Sequence, residues 1–346
     1  MGKMEQISKI KLDGVKTFEN RASLYSSCME GVDLLGRLCS VLAAERMNMG
    51  MLTHVADNGS GESVTTAGAK SVHHFSRFLL DAAKWDECTR KITGDACSIS
   101  IFTHDQRPGL TASLIAILGA GAIKPYVIGT SPSAVTVVVS SSDFGAAMQS
   151  IFDCFALPSR ASFEDWRAAC RMDDRDSGEV KFLYDKQIIG IYGFTRQTGL
   201  DLWNVSLPVE QMANFGAFLL ELDKLDFKLP FLISSSACGE HDKHFSFVLA
   251  GDSRETAKQA FDKNLPGIGY LCRGPVFSLF AHGPHFGDRY GIADALASCV
   301  SKGNIPLLAL SCTVASISAI CDGDDPDRAI EVLSTRFQIP AGVRRL

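Results

Sequence analysis

The chain has 346 residues, of which 46% are hydrophobic and 21% charged, and its formal net charge is -5. This length exceeds one compact core and fits two or more domains, and the apolar content is that of a packed globular protein rather than a disordered one. Without a basic block there is no phosphate-neutralising surface, so nucleic acid is excluded as a partner.

The N-terminal MGKMEQISKIKLDG has no apolar stretch of signal-peptide length, and no segment approaches the roughly 18 apolar residues of a membrane span. The expectation is a cytoplasmic protein with no membrane partner. Gly2 lacks the downstream Ser or Thr that myristoylation prefers. The 11 cysteines are odd in number, scattered and never spaced Cys-x-x-Cys, which argues against a disulfide framework and a zinc ribbon. Most are expected to be small buried hydrophobes.

In chain order, a strand around Ala22 to Cys28 precedes a helix carrying Leu34, Leu35, Leu38 and Leu42, then the runs NMGMLTHVA and ESVTTAGA and a second helix from Ser71. A clearer module spans Ser98 to Pro158. SISIFT alternates as a strand, HDQRPG is a polar turn, and Leu110, Leu114, Ile117 and Leu118 mark an amphipathic helix. IKPYVIGT and AVTVVVS follow as a strand pair about a Ser-Pro-Ser turn, and Phe144, Ala147, Met148, Ile151 and Phe155 mark a second helix. The order is βαββα. A connector from Ser159 to Gly178 holds the helical SFEDWRAACRM and the charged DDRDSG, and the domain boundary is expected there.

Beyond it the order recurs. A strand near Leu200 to Leu207 leads to a helix with Phe215, Phe218, Leu219 and Leu222, then KLPFLISSSA, HFSFVLAG and a helix from Ser253. From Pro275 to Pro340 come VFSLFAH, a helix over Ile292 to Ser301, the strands NIPLLAL and ASISAI, and a last helix over Asp325 to Phe337. Ile123 aligns with Ile305, Phe155 to Pro158 with Phe337 to Pro340, and Ser71 with Ser253, all at one offset of 182, the difference between 305 and 123. The two halves are therefore duplicates.

Four βαββα units of this kind resemble the ACT family. SISIFTHDQRPGLTASLIAILGAGAIKPYVIGTSPSAVTVVV resembles the second unit of the tandem ACT pair of aspartate kinases, with its Pro-Gly at the helix start. ISKIKLDG at 7–14 and EVKFLYDK at 179–186 resemble the strand that introduces the kinase's regulatory region. The resemblance implies an α+β fold of four ferredoxin-like βαββαβ units in two pseudo-symmetric halves: 1–94, 95–158, a linker at 159–178, 179–273 and 274–346. The second and fourth units run out of sequence before their fourth strand, so residues 7–14 or 179–186 are expected to donate it and to intertwine the halves. Nothing in the chain resembles the kinase catalytic domain, so the expected protein is a regulatory one, not an enzyme, with no cofactor. Gly119-Ala-Gly121-Ala-Ile-Lys124 follows a helix instead of opening one, the wrong order for a phosphate loop, and reads as a helix stop.

The implied ligand is a free amino acid, held where the first strand of a unit turns into its first helix. There the unpaired amides and the positive end of the helix dipole receive a carboxylate. In the second unit the candidates are His104, Asp105, Arg107, Gly109 and Leu110, with Ile123 closing the pocket. Gly109 admits the ligand to the backbone, and Asp105 accepts a hydrogen bond from an α-amino group. In the fourth unit they are His282, Asp288, Gly291, Ile292, Asn304 and Ile305, on a longer loop. The corresponding loops of the first and third units depart from the pattern and are expected to serve packing. Glu240-His241-Asp242-x-His244 joins two strands at a polar tip, where such residues are ordinary, and no metal is assigned to it. No spacing pairs a cysteine with a histidine as a nucleophile. The alternative to a sensor is a module that docks onto a metabolic enzyme such as aspartate kinase. A homodimer through unpaired strand edges is a further expected partner.

Overall fold

The computed structural model describes residues 10–28, 33–57, 60–68, 88–102, 106–157, 162–173, 188–235, 241–283, 290–313, 316–340 and 344–345. In the first half the elements are β1 (Ile10–Lys11), β2 (Gly14–Cys28), α1 (Leu34–Ala44), β3 (Met49–Asp57), β4 (Ser60–Gly68), β5 (Cys88–Phe102), α2 (Pro108–Ala120), β6 (Val127–Thr130), β7 (Ala134–Ser140), α3 (Ser141–Cys154), β8 (Phe155–Ala156) and α4 (Phe163–Asp173). In the second half they are β9 (Ile189–Gly190), β10 (Gly193–Pro208), α5 (Met212–Lys224), β11 (Phe231–Ser235), β12 (Asp242–Ala250), α6 (Arg254–Asn264), β13 (Tyr270–His282), α7 (Ile292–Lys302), β14 (Leu307–Cys312), β15 (Ser316–Asp322), α8 (Pro326–Leu333), β16 (Phe337–Gln338) and β17 (Arg344–Arg345). The expected helix from Ser71 and the strand at 179–186 lie outside the described residues.

The helices start where their sequences provide acceptors or a preset φ. Asp33 accepts from the Gly36 amide at 2.9 Å, Ser140 from Asp143 at 3.0 Å and Asp325 from Asp327 at 3.2 Å, while Pro108 and Pro326 occupy first turns. The ends of α1, α2, α5 and α7 share one device. Arg46, Ala122, Asp226 and Asn304 all have φ between 50 and 60°. The next amide of each, on Met47, Ile123, Phe227 or Ile305, returns to the carbonyl of Leu42, Leu118, Leu222 or Val300 at 2.9 to 3.0 Å. This left-handed closure satisfies carbonyls the helix leaves open and turns an apolar side chain back into the core. Its fourfold recurrence is the internal repeat written in backbone geometry.

Among the described residues thirteen strands join one main sheet in the order β12-β11-β6-β7-β5-β2-β4-β3-β14-β15-β13-β10-β17, β12 also pairs with β10, and every pairing is antiparallel except β10 with β17. Exchanging the halves maps the ring of twelve strands from β2 to β15, without β8 and β9, onto itself, and β17 has no described counterpart. The sheet folds into two stacked layers, one built around β6, β7, β11 and β12 and the other around β3, β4, β14 and β15. The long strands β2, β5, β10 and β13 run through both layers. β2 and β10 bend at Asn20 (φ 54°) and Gly199 (φ 68°), where the register slips. Between the layers lie Val55, Leu202, Phe231, Ile233, Val248 and Ile320, with a small-residue seam in which Ser311 Oγ donates to the Thr130 carbonyl at 3.4 Å. The helices cover the outer faces over two larger cores, one of which buries Trp203, Phe215, Phe218 and Phe247 and the other Leu38, Leu296, Ile317 and Phe337. Each such fully buried side chain contributes about 1.5–3 kcal/mol.

Several expectations change in detail. The donated strand beside β5 is Gly14–Phe18, just past the 7–14 segment, whose Ile10–Lys11 instead pairs in parallel with Phe155–Ala156. In the second half Gly193–Gln197 plays the same part beside β13. The limits 94/95 and 273/274 fall inside the continuous strands β5 and β13. The last helix stops at Leu333 rather than Phe337, because Phe337 is drawn into a parallel pair with Ile189 that buries its ring. The connector helix α4 is docked: Phe163 and Trp166 pack on Phe152 with ring centroids 5.9 and 6.3 Å away.

Candidate functional site

The halves meet at two junctions related by the pseudo-symmetry. In one layer β6 pairs with β11 and α2 packs on α5; in the other β3 pairs with β14 and α1 packs on α7. The helix starts proposed as ligand sites, those of α2 and α7, both open onto a junction.

At the α2/α5 junction the helices approach closely. A Cβ on Gly216 would lie 2.9 Å from Ala116 Cβ and 3.0 Å from the Ala112 carbonyl oxygen, and one on Gly119 would lie 2.9 Å from the Ala213 nitrogen. Asp223 ends this contact. Its carboxylate stands where a Cβ on Gly109 would be 2.9 Å from Oδ2, and its Oδ1 accepts from Arg107 Nε at 3.1 Å. An aspartate from α5 thus sits against the first turn of α2, the place where a free carboxylate was expected. Below the helices, Lys243 is 3% exposed and donates to the Pro125 carbonyl at 2.6 Å. The β6–β11 ladder is extended by hydroxyls: Thr130 Oγ1 accepts from Leu232 N at 2.7 Å and Ser234 Oγ accepts from Ile128 N at 2.8 Å.

His104, Asp105 and Asp288 lie outside the described residues. Of the others in the second unit, Arg107 is exposed and paired with Asp223, Gly109 is buried against it, and Leu110 and Ile123 are core side chains, 7% and 2% exposed. In the fourth unit His282 is exposed at the end of β13, Gly291 (φ 81°) is the N-cap of α7, Ile292 is buried, and Asn304 and Ile305 form the left-handed closure of α7. Ile123 and Ile305 therefore already serve as helix-closing residues. At the α7 start the residue facing Gly291 is Ala43, whose Cβ is 3.9 Å from an added Cβ. Ala43 is uncharged, unlike Asp223 at the start of α2.

No family model matches the chain, and no curated protein matches it. Among solved structures, the aspartate kinase of Synechocystis superposes on 93% of this chain and 55% of its own, at 14% identity and a TM-score of 0.74. The fold is shared with an aspartate kinase. The chain spans 55% of that enzyme's length. This likeness overturns the expectation of a protein that is not an enzyme, since the solved structure sharing the fold across nearly all of the chain is itself an enzyme. The regulatory subunits of aspartate kinase from Thermus thermophilus (ligand-free) and Thermus flavus match at 14% and 12% identity. Each covers 42% of this chain and 99% or 97% of its own, and their TM-scores of 0.38 and 0.37 carry no argument.

Among the described residues no group of three metal-ligating side chains converges, and no helix is long and apolar enough to cross a membrane. Cys28 is disulfide-bonded, which the scattered spacing did not suggest. The free thiols of Cys39, Cys97, Cys299 and Cys321 are buried as expected. Burial pushes Cys321 up to about 12, and raises Cys39 with help from the Asp294 and Asp33 carboxylates, so these are packing residues rather than nucleophiles. Asp223 and Lys243 were missed in the sequence. Both are ordinary surface residue types in a helix end and a strand start, and only the pairing of halves brings them to a junction.

Proposed function

We propose that the chain is a regulatory unit of the aspartate kinase type, built of four ferredoxin-like ACT-type modules, that senses a free amino acid at the junctions between its halves. The observation that carries this reading is the joint placement of two helix starts, Pro108–Gly109 and Gly291–Ile292, at pseudo-equivalent junctions where a helix of one half packs on a helix of the other. The strand neighbours support the modules: β5-β2-β4-β3, β2-β5-β7-β6, β13-β10-β12-β11 and β10-β13-β15-β14 repeat one order. We place the ligand first at the α7 start, with His282, Asp288 and Gly291, while Asn304 closes the far end of that helix. At the start the residue of α1 that faces Gly291 is the uncharged Ala43. At α2, with His104, Asp105 and Arg107, a ligand must displace Asp223.

The test is thermal unfolding of the full chain with each of the twenty amino acids in excess. A ligand at 100 times its dissociation constant adds about 2.7 kcal/mol to the native state, a shift of several degrees. The expected result is a shift with one or two compounds that is lost in Asp288→Ala and kept in Asp105→Ala. No shift with any compound would remove the sensor reading and favour docking onto a metabolic enzyme.

A further inference from the structure

Aligned through their shared left-handed closures, α2 matches α7 at an offset of 182 and α5 matches α1 at an offset of 180, the differences between 305 and 123 and between 222 and 42. The face that α2 turns to α5 is Gly109, Ala112, Ala116 and Gly119. The matching face of α7 is Gly291, Asp294, Ser298 and Ser301. An all-small, apolar stripe, packed so closely that a Cβ added at Gly119 would lie 2.9 Å from the Ala213 nitrogen, has become a polar one.

The partner helix changes in step. Asp223 of α5 becomes Ala43 of α1, Ala213 becomes Asp33, and Lys243 in the strand beneath becomes Gly61. The two charged groups of the α2/α5 junction, Asp223 paired with Arg107 and Lys243 bonded to the Pro125 carbonyl, are therefore replaced at the aligned described positions of the α1/α7 junction by the uncharged Ala43 and Gly61. Asp294 is half-buried, makes no hydrogen bond to another described residue, and acts on the buried Cys39 thiol of α1. The cations Lys302 and Arg336 act on Asp294, and the Cys39 thiol on which it acts also feels Asp33, the N-cap of α1, and faces Cys312 of β14. A carboxylate and a serine hydroxyl shut between helices lose hydration that they regain when the helices part. Beneath them, β3 and β14 keep four registered pairs, Ala309–Cys312 against Leu52–Val55, so the sheet holds while the helix layer opens.

We infer that the two helix pairs joining the halves have different mechanical roles: α2/α5 is a permanent dry clasp, and α1/α7 is a yielding pair that parts over an intact β3–β14 ladder. This does not depend on the chain being an amino-acid sensor.

Amide hydrogen exchange on the full chain, read by mass spectrometry under native conditions, tests it. The amides of α1 and α7 are expected to exchange roughly tenfold or more faster than those of α2 and α5. Asp294→Ala with Ser298→Ala, which copies the α2 face, should slow α1 and α7 severalfold. Asp223→Ala with Lys243→Met should speed α2 and α5 by a similar factor. Equal or faster exchange of α2 and α5 in the unaltered chain would overturn the inference, a result that needs no variant to fold. So would unchanged α1/α7 rates in the first double variant or unchanged α2/α5 rates in the second.

Discussion

The Asp201 carboxylate is 2% exposed and receives two hydrogen bonds from Arg254, from Nε to Oδ2 at 2.7 Å and from the terminal nitrogen to Oδ1 at 2.6 Å. The pair sits just after Gly199, where β10 crosses from one layer to the other, and a side chain at Gly274 would collide with it. Hydrogen bonding to Asp201 raises the Arg254 guanidinium still further above its ordinary range. Because Asp201 is buried and Arg254 is not, the asymmetry of loss is large: removing the arginine strands a carboxylate in the interior. Arg254→Ala is expected to lower stability by about 2–3 kcal/mol in urea unfolding. Adding Asp201→Asn should recover part of that loss; a double variant as unstable as the sum of the single ones would show that the two residues act independently.

Ala122 carries a left-handed φ of 52°, a conformation in which its Cβ is strained and glycine is not. Ala122→Gly is expected to stabilise the chain by about 0.5–1 kcal/mol, less the extra entropy of an unfolded glycine. Asn304→Gly at the matching position of α7 should gain less, since asparagine tolerates this region. Chemical denaturation of both variants checks the ranking, and a larger gain at 304 would refute it.

The repeat and the βαββα order of the clearer modules were legible in the sequence because they are local or periodic, whereas the donated strands were placed too early in the chain, at 7–14 and 179–186 rather than Gly14–Phe18 and Gly193–Gln197. Apolar side chains recur at helix and strand spacing, and the 182-residue offset aligns Ile123 with Ile305 without any knowledge of contacts. The four helix closures were not legible. Arg46, Ala122, Asp226 and Asn304 share a backbone conformation and no residue type. Nor was the length of β2 and β10, which the bends at Asn20 and Gly199 disguise as two strands. The junction chemistry was out of reach for another reason: Arg107 and Asp223 are 116 residues apart, Pro125 and Lys243 118, and only the closure of the ring of strands makes them neighbours.

Ser278 and Ser318 lie between the two layers, both fully buried, and neither Oγ has a hydrogen-bond partner. A buried hydroxyl without a partner costs about 1–3 kcal/mol relative to one that is satisfied. Ser278→Ala and Ser318→Ala are therefore expected to hold or raise stability, by up to about 1 kcal/mol each, in contrast to the usual sign of a core truncation. Urea titrations of the two variants decide this, and a loss above about 1 kcal/mol in either would mean the hydroxyl is satisfied in solution.

Asp294 gives the fold a pH dependence of definite sign. Burial raises its carboxyl above the ordinary value, while Arg336 and Lys302 oppose that shift in part. The folded chain thus holds this proton more tightly than the unfolded one does. Stability falls as pH climbs from the unfolded carboxyl value through the raised folded one, and above both the penalty is constant. Asp294→Asn keeps the side-chain shape and removes the titration. The variant is expected to melt about one to three degrees above the parent at pH 7. At pH 3, where the parent carboxyl is protonated in both states, the two melting points should coincide. A variant that melts lower at pH 7 would mean that the positive end of α7 stabilises this carboxylate by more than burial penalises it.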